Sequence, residues 1–357
     1  MFSDPYERRA YAARLKWLAA GTALQAWSLE YRRGLTGRFD PRISRSSEEP
    51  EEILHCPVDC GANAPLSHLY ERRYIYQLNE SISNTITGAT LMAGSLEAPF
   101  FIRESISWPF ESIVSHGLDI PEPKKVAAHI AQPAFVFPST TNYYHWLIEE
   151  LPLLLRANEE FANFQLLVNN ESKTEKHVIV AAQLQKSLTP VPLIVKIKHH
   201  IMPGRANDSW FIHPNDHERL YTFGRELTDA QSQSVHKKVY VSRRNSQRSL
   251  PMESQLEDLL KKSGFFIAHL ETMPWLEQIR LFQGATLVAG PHGAGLSNLV
   301  FTPKGTTVVE FTNGYHYNRC FEWISHVGKQ TYRKIDADAN IESLPPQEIA
   351  KKILEYA

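Results

Sequence analysis

The sequence predicts an α/β fold built from two Rossmann-like domains, and three observations support this prediction. Short apolar runs typical of buried strands alternate with amphipathic helical patterns from Ala134 onward, and the alternation begins again after Lys237. Such βα units form parallel, doubly wound sheets. The chain also has 357 residues, of which 43% are hydrophobic, which is more than one ordinary core can use. We therefore expect domains at residues 1–225 and 226–357.

The first hundred residues carry weaker patterns than the rest of the chain. A basic amphipathic pattern over residues 6–38 predicts a helical extension, which either packs on the protein's own body or lies on a membrane surface. Residues 38–65 are rich in Glu, Ser, Pro and Arg and predict a loop or linker. In residues 72–101, β-branched and aromatic runs separated by Asn, Gly and Ser predict short strands with turns.

The later elements follow from their own runs of residues. In the first domain we expect strands at 135–137, 164–168 and 191–197, separated by helices at 141–157 and from 176. The second domain should contain more elements of both kinds. We expect strands at 239–241, 265–267, 286–289, 306–311 and 331–335, with helices at 253–262, 275–282 and from 293.

Composition narrows the classes of ligand and compartment. A formal net charge of −1 gives no field that favours nucleic acid, so we expect no nucleic-acid partner. The three cysteines do not make a disulfide scaffold and fit a reducing, cytoplasmic compartment. Cys56 and Cys60 lack a second pair that would complete a zinc site, so we interpret them as free thiols. No run approaches the roughly 20 apolar residues that span a bilayer.

The strongest local feature is a glycine-rich turn that follows an apolar strand. It comprises Pro291, His292, Gly293, Ala294 and Gly295. Small residues let a backbone approach a bulky ligand, and N–H groups at a helix start suit a phosphate or diphosphate. The glycine spacing is not the dinucleotide pattern, and an acidic ribose partner about 20 residues on is approximated only by Glu310. The alternative is a tight turn without a ligand, but the imidazole of His292 favours a phosphate site.

A second feature is the strand that ends in Ser242, Arg243 and Arg244, followed by Arg248 and Glu253. This arrangement places guanidinium groups at the carboxyl edge of the sheet, where α/β proteins bind ligands. Arginine suits bidentate contact with phosphate. We favour that role for Arg243 and interpret Arg244 as part of a solvated loop.

A third feature is a polar face on the helix predicted at residues 141–157. Asn142, His145 and Glu149 share that face, while leucines occupy another. A histidine and a carboxylate one turn apart could remove the proton from an acceptor hydroxyl. The alternative, a histidine paired with its helical neighbour and no substrate nearby, stays open at this point.

Two further patterns are weaker. Asp336 and Asp338 resemble a short acidic metal motif, but they lie after the last predicted strand, so we interpret them as surface loop. His199, His200, His213 and His217 could suggest a metal, yet adjacent histidines point apart on a strand. We interpret these four as packed or solvated.

In order and spacing, residues 142–152, 239–253 and 288–301 together with Glu310 resemble glycosyltransferase family 61, which includes bacterial capsular polysaccharide biosynthesis proteins. The family's His-Trp-Leu-x-Glu helix falls on His145 to Glu149, and its Ser-Arg element falls on Ser242 and Arg243 with a following arginine at Arg248. Its His-Gly-Ala-Gly turn falls on His292 to Gly295. Where the family usually has Asn-Glu, this chain has Met252 and Glu253.

The resemblance implies two Rossmann-like domains facing a cleft in the GT-B arrangement, transfer with inversion, and no bound metal or other cofactor. The partners would be a nucleotide-sugar donor and a glycan or glycolipid acceptor, with peripheral contact to the inner membrane or an assembly complex. Glu149, assisted by His145, would be the base. The donor would be bound by Ser242, Arg243, Arg248, Glu253, Pro291, His292, Gly293, Ala294, Gly295 and Glu310.

Two alternatives belong to other functional classes. A non-catalytic glycan- or nucleotide-binding subunit of a polysaccharide assembly complex would keep the glycine turn and lose the base. An enzyme that transfers phosphate would need a P-loop or a carboxylate set for Mg²⁺, and the sequence has neither pattern.

Overall fold

A computed structural model describes most of the chain from residue 125 onward and shorter stretches before it. The described residues are 26–27, 43–49, 52–56, 66–70, 73–86, 88, 90–92, 100–102, 125–138, 142–204, 211–228, 235–246, 249–250, 252–311, 318–335 and 344–357. The chain divides into two compact units, one formed by Met1–Glu52 and Leu69–Ser209 and the other by Ile53–His68 and Trp210–Ala357. The domain boundary expected near residue 225 stays a prediction. Within the described residues, no helix has the length and apolar character needed to cross a bilayer.

The first unit is built on a nine-stranded sheet. Its strands are β1 (Ala26–Trp27), β2 (Ile43–Glu49), β5 (Arg73–Asn84), β6 (Thr90–Met92), β7 (Phe100–Ile102), β8 (Ala128–Val136), β9 (Gln165–Asn169), β10 (Leu188–Val191) and β11 (Ile194–Pro203). The strand order is β1-β7-β6-β5-β11-β8-β9-β10, and β2 also pairs with β5. Two further strands, β3 (Glu52–Cys56) and β4 (Leu66–Tyr70), form a separate two-stranded sheet, and most of their residues belong to the second unit.

The first sheet is parallel in one half and largely antiparallel in the other, where only the short pair of β1 with β7 is parallel. The strands β11, β8, β9 and β10 pair in parallel, as the predicted βα units require. The strands β2, β5, β6 and β7 pair antiparallel, and β5 joins the two halves by pairing antiparallel with β11. The expectation of a Rossmann-like sheet therefore holds for the parallel half. The short strands expected at residues 72–101 are confirmed as β5, β6 and β7, but their antiparallel pairing onto the same sheet was not predicted.

Two segments before residue 72 differ from expectation. Where a loop was expected at residues 38–65, the chain forms β2 and β3, because β2 gains backbone partners from β5 despite its polar composition. Ala26–Trp27, inside the segment expected to be helical, pairs with β7 as the strand β1. The other residues of that predicted helix, and Cys60, lie outside the described residues.

The helical elements of the first unit cover the parallel half of its sheet. A continuous helical run comprises α1 (Tyr143–His145), a π-helical turn (Trp146–Glu150) and α2 (Leu151–Glu160), and α3 is Glu175–Gln183. A core of buried aliphatic residues from β8, β9, β10 and β11 lies in this half; it comprises Ala134, Val136, Leu167, Val191, Val195 and Ile197. The strand expected at 191–197 is broken into β10 and β11 because Pro192 has no N–H group for strand pairing.

The second unit contains a five-stranded, fully parallel sheet, which confirms the prediction for this half of the chain. Its strands are β12 (Lys238–Val241), β13 (Phe266–Ala268), β14 (Leu287–Pro291), β15 (Thr307–Phe311) and β16 (Thr331–Ile335). Its α-helices are α4 (Pro214–Leu227), α5 (Glu253–Lys262), α6 (Trp275–Gly284), α7 (Cys320–Val327) and α8 (Pro346–Leu354), with 3₁₀ helices at Leu270–Thr272 and Ala294–Phe301.

The strand order of the second sheet is β13-β12-β14-β15-β16. Counted from β12, this is the order 2-1-3-4-5 of doubly wound proteins. The direction of winding reverses between β12 and β14, and open α/β sheets bind their ligands outside the carboxyl ends of strands at such a switch point. The residues that follow β12 and β14 are Ser242 and His292.

Neighbouring histidines on β11 point to opposite faces of the first sheet. His199 Nδ1 lies 3.0 Å from Asn79 Oδ1 at the surface, whereas His200 is buried and hydrogen-bonds Ser81 Oγ through Nδ1 at 3.0 Å. This confirms that the two rings point apart. Burial lowers the pKa of His200 from 6.5 to about 3, so its ring is neutral in the folded protein at neutral pH.

We expect acid to destabilise the fold in part through His200. The folded-state pKa lies below the unfolded one, so unfolding takes up a proton as the pH falls below about 6.5, and stability declines toward the folded pKa of about 3. His200→Gln keeps a partner for Ser81 without titrating. Over that pH range, the free energy of unfolding of this variant should fall less steeply than that of the unsubstituted protein, by up to about 1.4 kcal/mol per pH unit. Urea unfolding at a series of pH values measures this difference. His199→Gln is the control and should behave as the unsubstituted protein; identical curves for all three proteins would contradict the assignment.

Candidate active site

A buried glutamate fixes the loop that follows β12. Glu253, at the start of α5, is 1% exposed. Its Oε1 accepts the backbone N–H of Arg243 at 2.6 Å and the hydroxyl of Tyr240 at 3.2 Å, and its Oε2 accepts the N–H of Leu250 at 3.2 Å. Burial and the adjacent Glu253 carboxylate raise the pKa of Tyr240 well above its usual value, so the phenol stays a donor. These hydrogen bonds to Glu253 therefore fix the backbone of the loop.

A second buried carboxylate, that of Glu257, holds the next part of the same loop. Ser242 Oγ donates to Glu257 Oε1 at 2.6 Å and accepts the backbone N–H of Arg244 at 3.1 Å. The guanidinium of Arg244 lies 2.9 Å from Glu257 Oε2. Arg244 is thus paired with a residue of its own unit, in line with its interpretation as part of the loop.

The loop after β12 and the glycine turn after β14 meet. Arg243 Nη1 donates to the backbone oxygen of His292, and Arg243 Nε donates to Ser246 Oγ at 3.3 Å. A Cβ atom on Gly293 would lie 2.4 Å from Arg243 Nη1 and 2.8 Å from Cζ. Gly293 has an extended φ of 171°, so it is required for space and not for backbone conformation. Arg243 and His292, which follow different strands, are thus brought together.

His292 is oriented by a fully buried carboxylate. Its Nδ1 donates to Glu310 Oε1 at 2.5 Å, and Glu310 Oε2 accepts the hydroxyl of Tyr332 at 2.5 Å. The imidazole packs against Phe321 with ring centroids 5.0 Å apart. Glu310 is 0% exposed, so it faces the imidazole rather than a ligand. Tyr332, on β16, was not identified from the sequence because strand pairing alone brings it beside Glu310.

Small residues also let the turn approach β12. A Cβ on Gly290 would lie 3.0 Å from the backbone oxygen of Val241, and one on Gly295 would lie 3.0 Å from Val241 Cγ1. Asn298 Nδ2 donates to the backbone oxygen of Gly295 at 3.2 Å. Pro291 ends β14, and Ala294 begins the 3₁₀ helix that stands where the sequence predicted a helix from residue 293. The turn is therefore packed closely onto the end of the neighbouring strand.

In the first unit, the predicted polar helix face is present. Asn142 caps the helical run by accepting the N–H of Tyr144 at 3.0 Å. His145 Nδ1 donates to Glu149 Oε1 at 2.5 Å, and both side chains are about one-tenth exposed, at 12% and 9%. Leu147 and Leu151 are fully buried. The pair forms across a π-helical turn, and such turns occur frequently at functional sites.

The remaining candidates separate into packed residues and residues outside the description. His213 caps α4 through its ring, and His217 is buried in the same helix. Arg248, Asp336 and Asp338 lie outside the described residues. Within the part of the chain that is described, no group of three or more His, Cys, Asp or Glu side chains is arranged to hold a metal ion.

We expect Gly293→Ala to destabilise the second unit chiefly through Arg243, whose guanidinium supplies the nearest atoms. The added methyl group should cost about 1–3 kcal/mol by overpacking, and that cost should nearly vanish in an Arg243→Ala background, giving a large coupling in a double-mutant cycle. The measurement is urea unfolding of the four proteins. Gly290→Ala is the control, since its methyl group meets Val241, and its cost should persist in the Arg243→Ala background. Equal costs for Gly293→Ala in both backgrounds would refute the clearance role.

A protein-family model matches the part of the chain that carries most of these residues. Residues 143–309 match the protein-family model described as Glycosyltransferase 61. The match begins at the helical run that carries His145 and Glu149, includes Arg243 and His292, and ends one residue before Glu310. No curated protein matches the chain. The chain therefore carries a glycosyltransferase family 61 domain, and it is a glycosyltransferase.

Proposed function

We propose that the protein transfers a sugar, with inversion, from a nucleotide-sugar donor to a glycan or glycolipid acceptor during synthesis of a bacterial surface polysaccharide such as capsule or O-antigen. The acceptor hydroxyl oxygen attacks the anomeric carbon of the donor, the bond from that carbon to the diphosphate breaks, and a base takes the hydroxyl proton. Domains at residues 1–225 and 226–357 would adopt the GT-B arrangement.

The observation that carries this proposal is the convergence of Arg243 with the turn at His292 at the switch point of the second sheet. Neutralising the departing diphosphate is a main electrostatic demand of such a transfer. A partly exposed guanidinium and the N–H groups at the start of the 3₁₀ helix suit that demand. We therefore assign the diphosphate of the donor to this edge of the sheet.

We assign different roles to the two buried glutamates among the predicted donor-binding residues. Glu253 receives the Arg243 N–H and Glu310 receives His292 Nδ1. Both carboxylates already accept further donors from Tyr240, Leu250 or Tyr332. They would position the groups that meet the ligand instead of meeting it themselves.

We assign proton removal to the His145–Glu149 pair, with Glu149 as the base. The two side chains are partly accessible although the residues between them, 146–148, are buried. Their 2.5 Å hydrogen bond orients the carboxylate, which takes the hydroxyl proton itself. Arginine can neutralise the diphosphate itself, so the proposed reaction uses no metal. The protein would work in the cytoplasm, with peripheral contact to the inner membrane or an assembly complex.

Arg243→Ala should weaken binding of a nucleoside diphosphate by about 10- to 100-fold, because hydrogen bonds to charged groups contribute about 1.5–3 kcal/mol. The probe is whichever of UDP, GDP and ADP stabilises the protein most in a thermal-shift screen, and the measurement is calorimetry. Arg244→Ala is the matched control, since the Arg244 guanidinium already pairs with Glu257, and its affinity should stay unchanged. Unchanged affinity in a folded Arg243→Ala protein would remove the donor site from this edge.

Glu149→Gln should reduce transfer by about 10²- to 10⁴-fold, the usual cost of losing a general base, while nucleotide binding stays intact. His145→Ala should reduce transfer as well, because the pair acts together. Glu160→Gln, which changes an exposed carboxylate at the end of α2, serves as the control. Turnover is measured with the donor sugar that screening identifies.

Three outcomes would contradict the assignment of Glu149 as the base. A loss of transfer in Glu150→Gln but not in Glu149→Gln would show that the assigned helix face is wrong. Loss of nucleotide binding in Glu149→Gln would place that residue with the donor. Normal turnover in all these variants would make the helix a scaffold and require the base to lie elsewhere.

A further inference from the structure

Lys176 has an unusual environment for a lysine. It lies in the first turn of α3, and its Nζ is 5.8 Å from the ring centroid of Tyr143 and 5.6 Å from that of Trp146. The two rings are stacked, with centroids 6.3 Å apart and an interplanar angle of 18°. Burial lowers the pKa of the Lys176 ammonium. The cation is therefore partly removed from water and placed against aromatic surface.

Comparison with Lys186 shows what Lys176 lacks. Lys186 Nζ lies 4.3 Å from the ring centroid of Phe164, and burial lowers its pKa as well, but it donates to the backbone oxygens of Phe161 and Ala162. Among the residues that the structure describes, Lys176 forms no hydrogen bond or ion pair, and the charge of its exposed neighbour Glu175 only partly offsets the effect of burial on its pKa. A partly desolvated ammonium with unused donors is set to receive an anion.

Lys176 lies near the edge of the first sheet where a ligand would bind. Lys176 follows β9 and Tyr143 follows β8, and these two strands are parallel neighbours, so both residues lie at the carboxyl edge of the first sheet. Tyr143 is partly exposed and precedes His145 by two residues. On the helical run, Tyr143 and Trp146 lie roughly a third of a turn around the axis from His145 and Glu149, on a neighbouring side. A ligand held by Lys176 would thus lie beside the reacting hydroxyl and not on it.

We propose that Lys176, with the rings of Tyr143 and Trp146, forms an acceptor subsite for an anionic group, the carboxylate of an acidic sugar or a phosphate carried by the acceptor. The partly exposed ring of Tyr143 offers a stacking surface for the sugar, and the ammonium of Lys176 pairs with the anion. The assignment to the acceptor rests on the proposed function, whereas the anion site itself does not.

The test measures chemical labelling of Lys176 in the full-length protein. Acetic anhydride at low concentration acetylates lysines through their neutral form, and mass spectrometry gives the rate at Lys176 with Lys186 as the internal reference. The rates are compared in the presence of sodium glucuronate, inorganic phosphate, glucose and UDP. No step of this measurement uses a nucleotide sugar or turnover.

Glucuronate or phosphate should protect Lys176 in a saturable way, with labelling about tenfold slower at ten times the Kd by mass action, while Lys186 is unaffected. Stronger protection by glucuronate would indicate a uronic acid in the acceptor, and stronger protection by inorganic phosphate a phosphorylated acceptor. Lack of protection, equal protection by glucose, or equal protection of both lysines would overturn the proposal. Stronger protection by UDP than by inorganic phosphate would assign Lys176 to the donor and overturn it as well.

A pair of variants keeps the test independent of labelling chemistry. Lys176→Met should abolish calorimetric binding of the protective anion, and Lys186→Met should leave it unchanged. Retained binding in folded Lys176→Met would contradict the proposal. Protection of Lys176 in a protein that shows no sugar transfer would count against the proposed function and leave the anion site in place.

Discussion

The parallel pairing of β12 with β14 is the contact on which the polar residues of the second unit depend. Val239 pairs with Val288 and Tyr240 with Ala289, so the two strands end side by side. Arg243 can then cross to the backbone of His292 because Gly293 leaves room for its guanidinium. A register shift of one residue would turn every side chain of the strand to its other face and separate these groups.

Buried carboxylates keep this arrangement rigid. Glu253, Glu257 and Glu310 are all buried, and each accepts hydrogen bonds from two or more groups. A buried charge without such partners would cost several kcal/mol or more, so each carboxylate specifies the position of its donors. Arg243 and His292 are consequently fixed before any ligand arrives, which is the condition for electrostatic stabilisation without reorganisation.

The sequence predicted what depends on local periodicity and missed what depends on pairing. Helix α5 lies at the predicted residues 253–262, because its apolar spacing and first-turn Glu253 are local signals. The polar strand β2 was missed because its partner β5 stabilises it. Tyr332 was missed for a similar reason: it reaches Glu310 only because β15 and β16 are neighbours. Lys176 was missed because its aromatic neighbours come from a different helical element.

The π-helical turn at Trp146–Glu150 lies between His145 and the buried residues of α2, which need different orientations on one helical run. A wider turn holds an additional residue, so it changes the phase between the residues before it and those after it. Leu151, Leu154 and Ala157 can keep their fully buried positions while His145 keeps its own orientation. Deleting one residue within this turn would return it to α-helical geometry, so the residues before and after it would keep the faces they now occupy, and only the wider spacing between them would be lost.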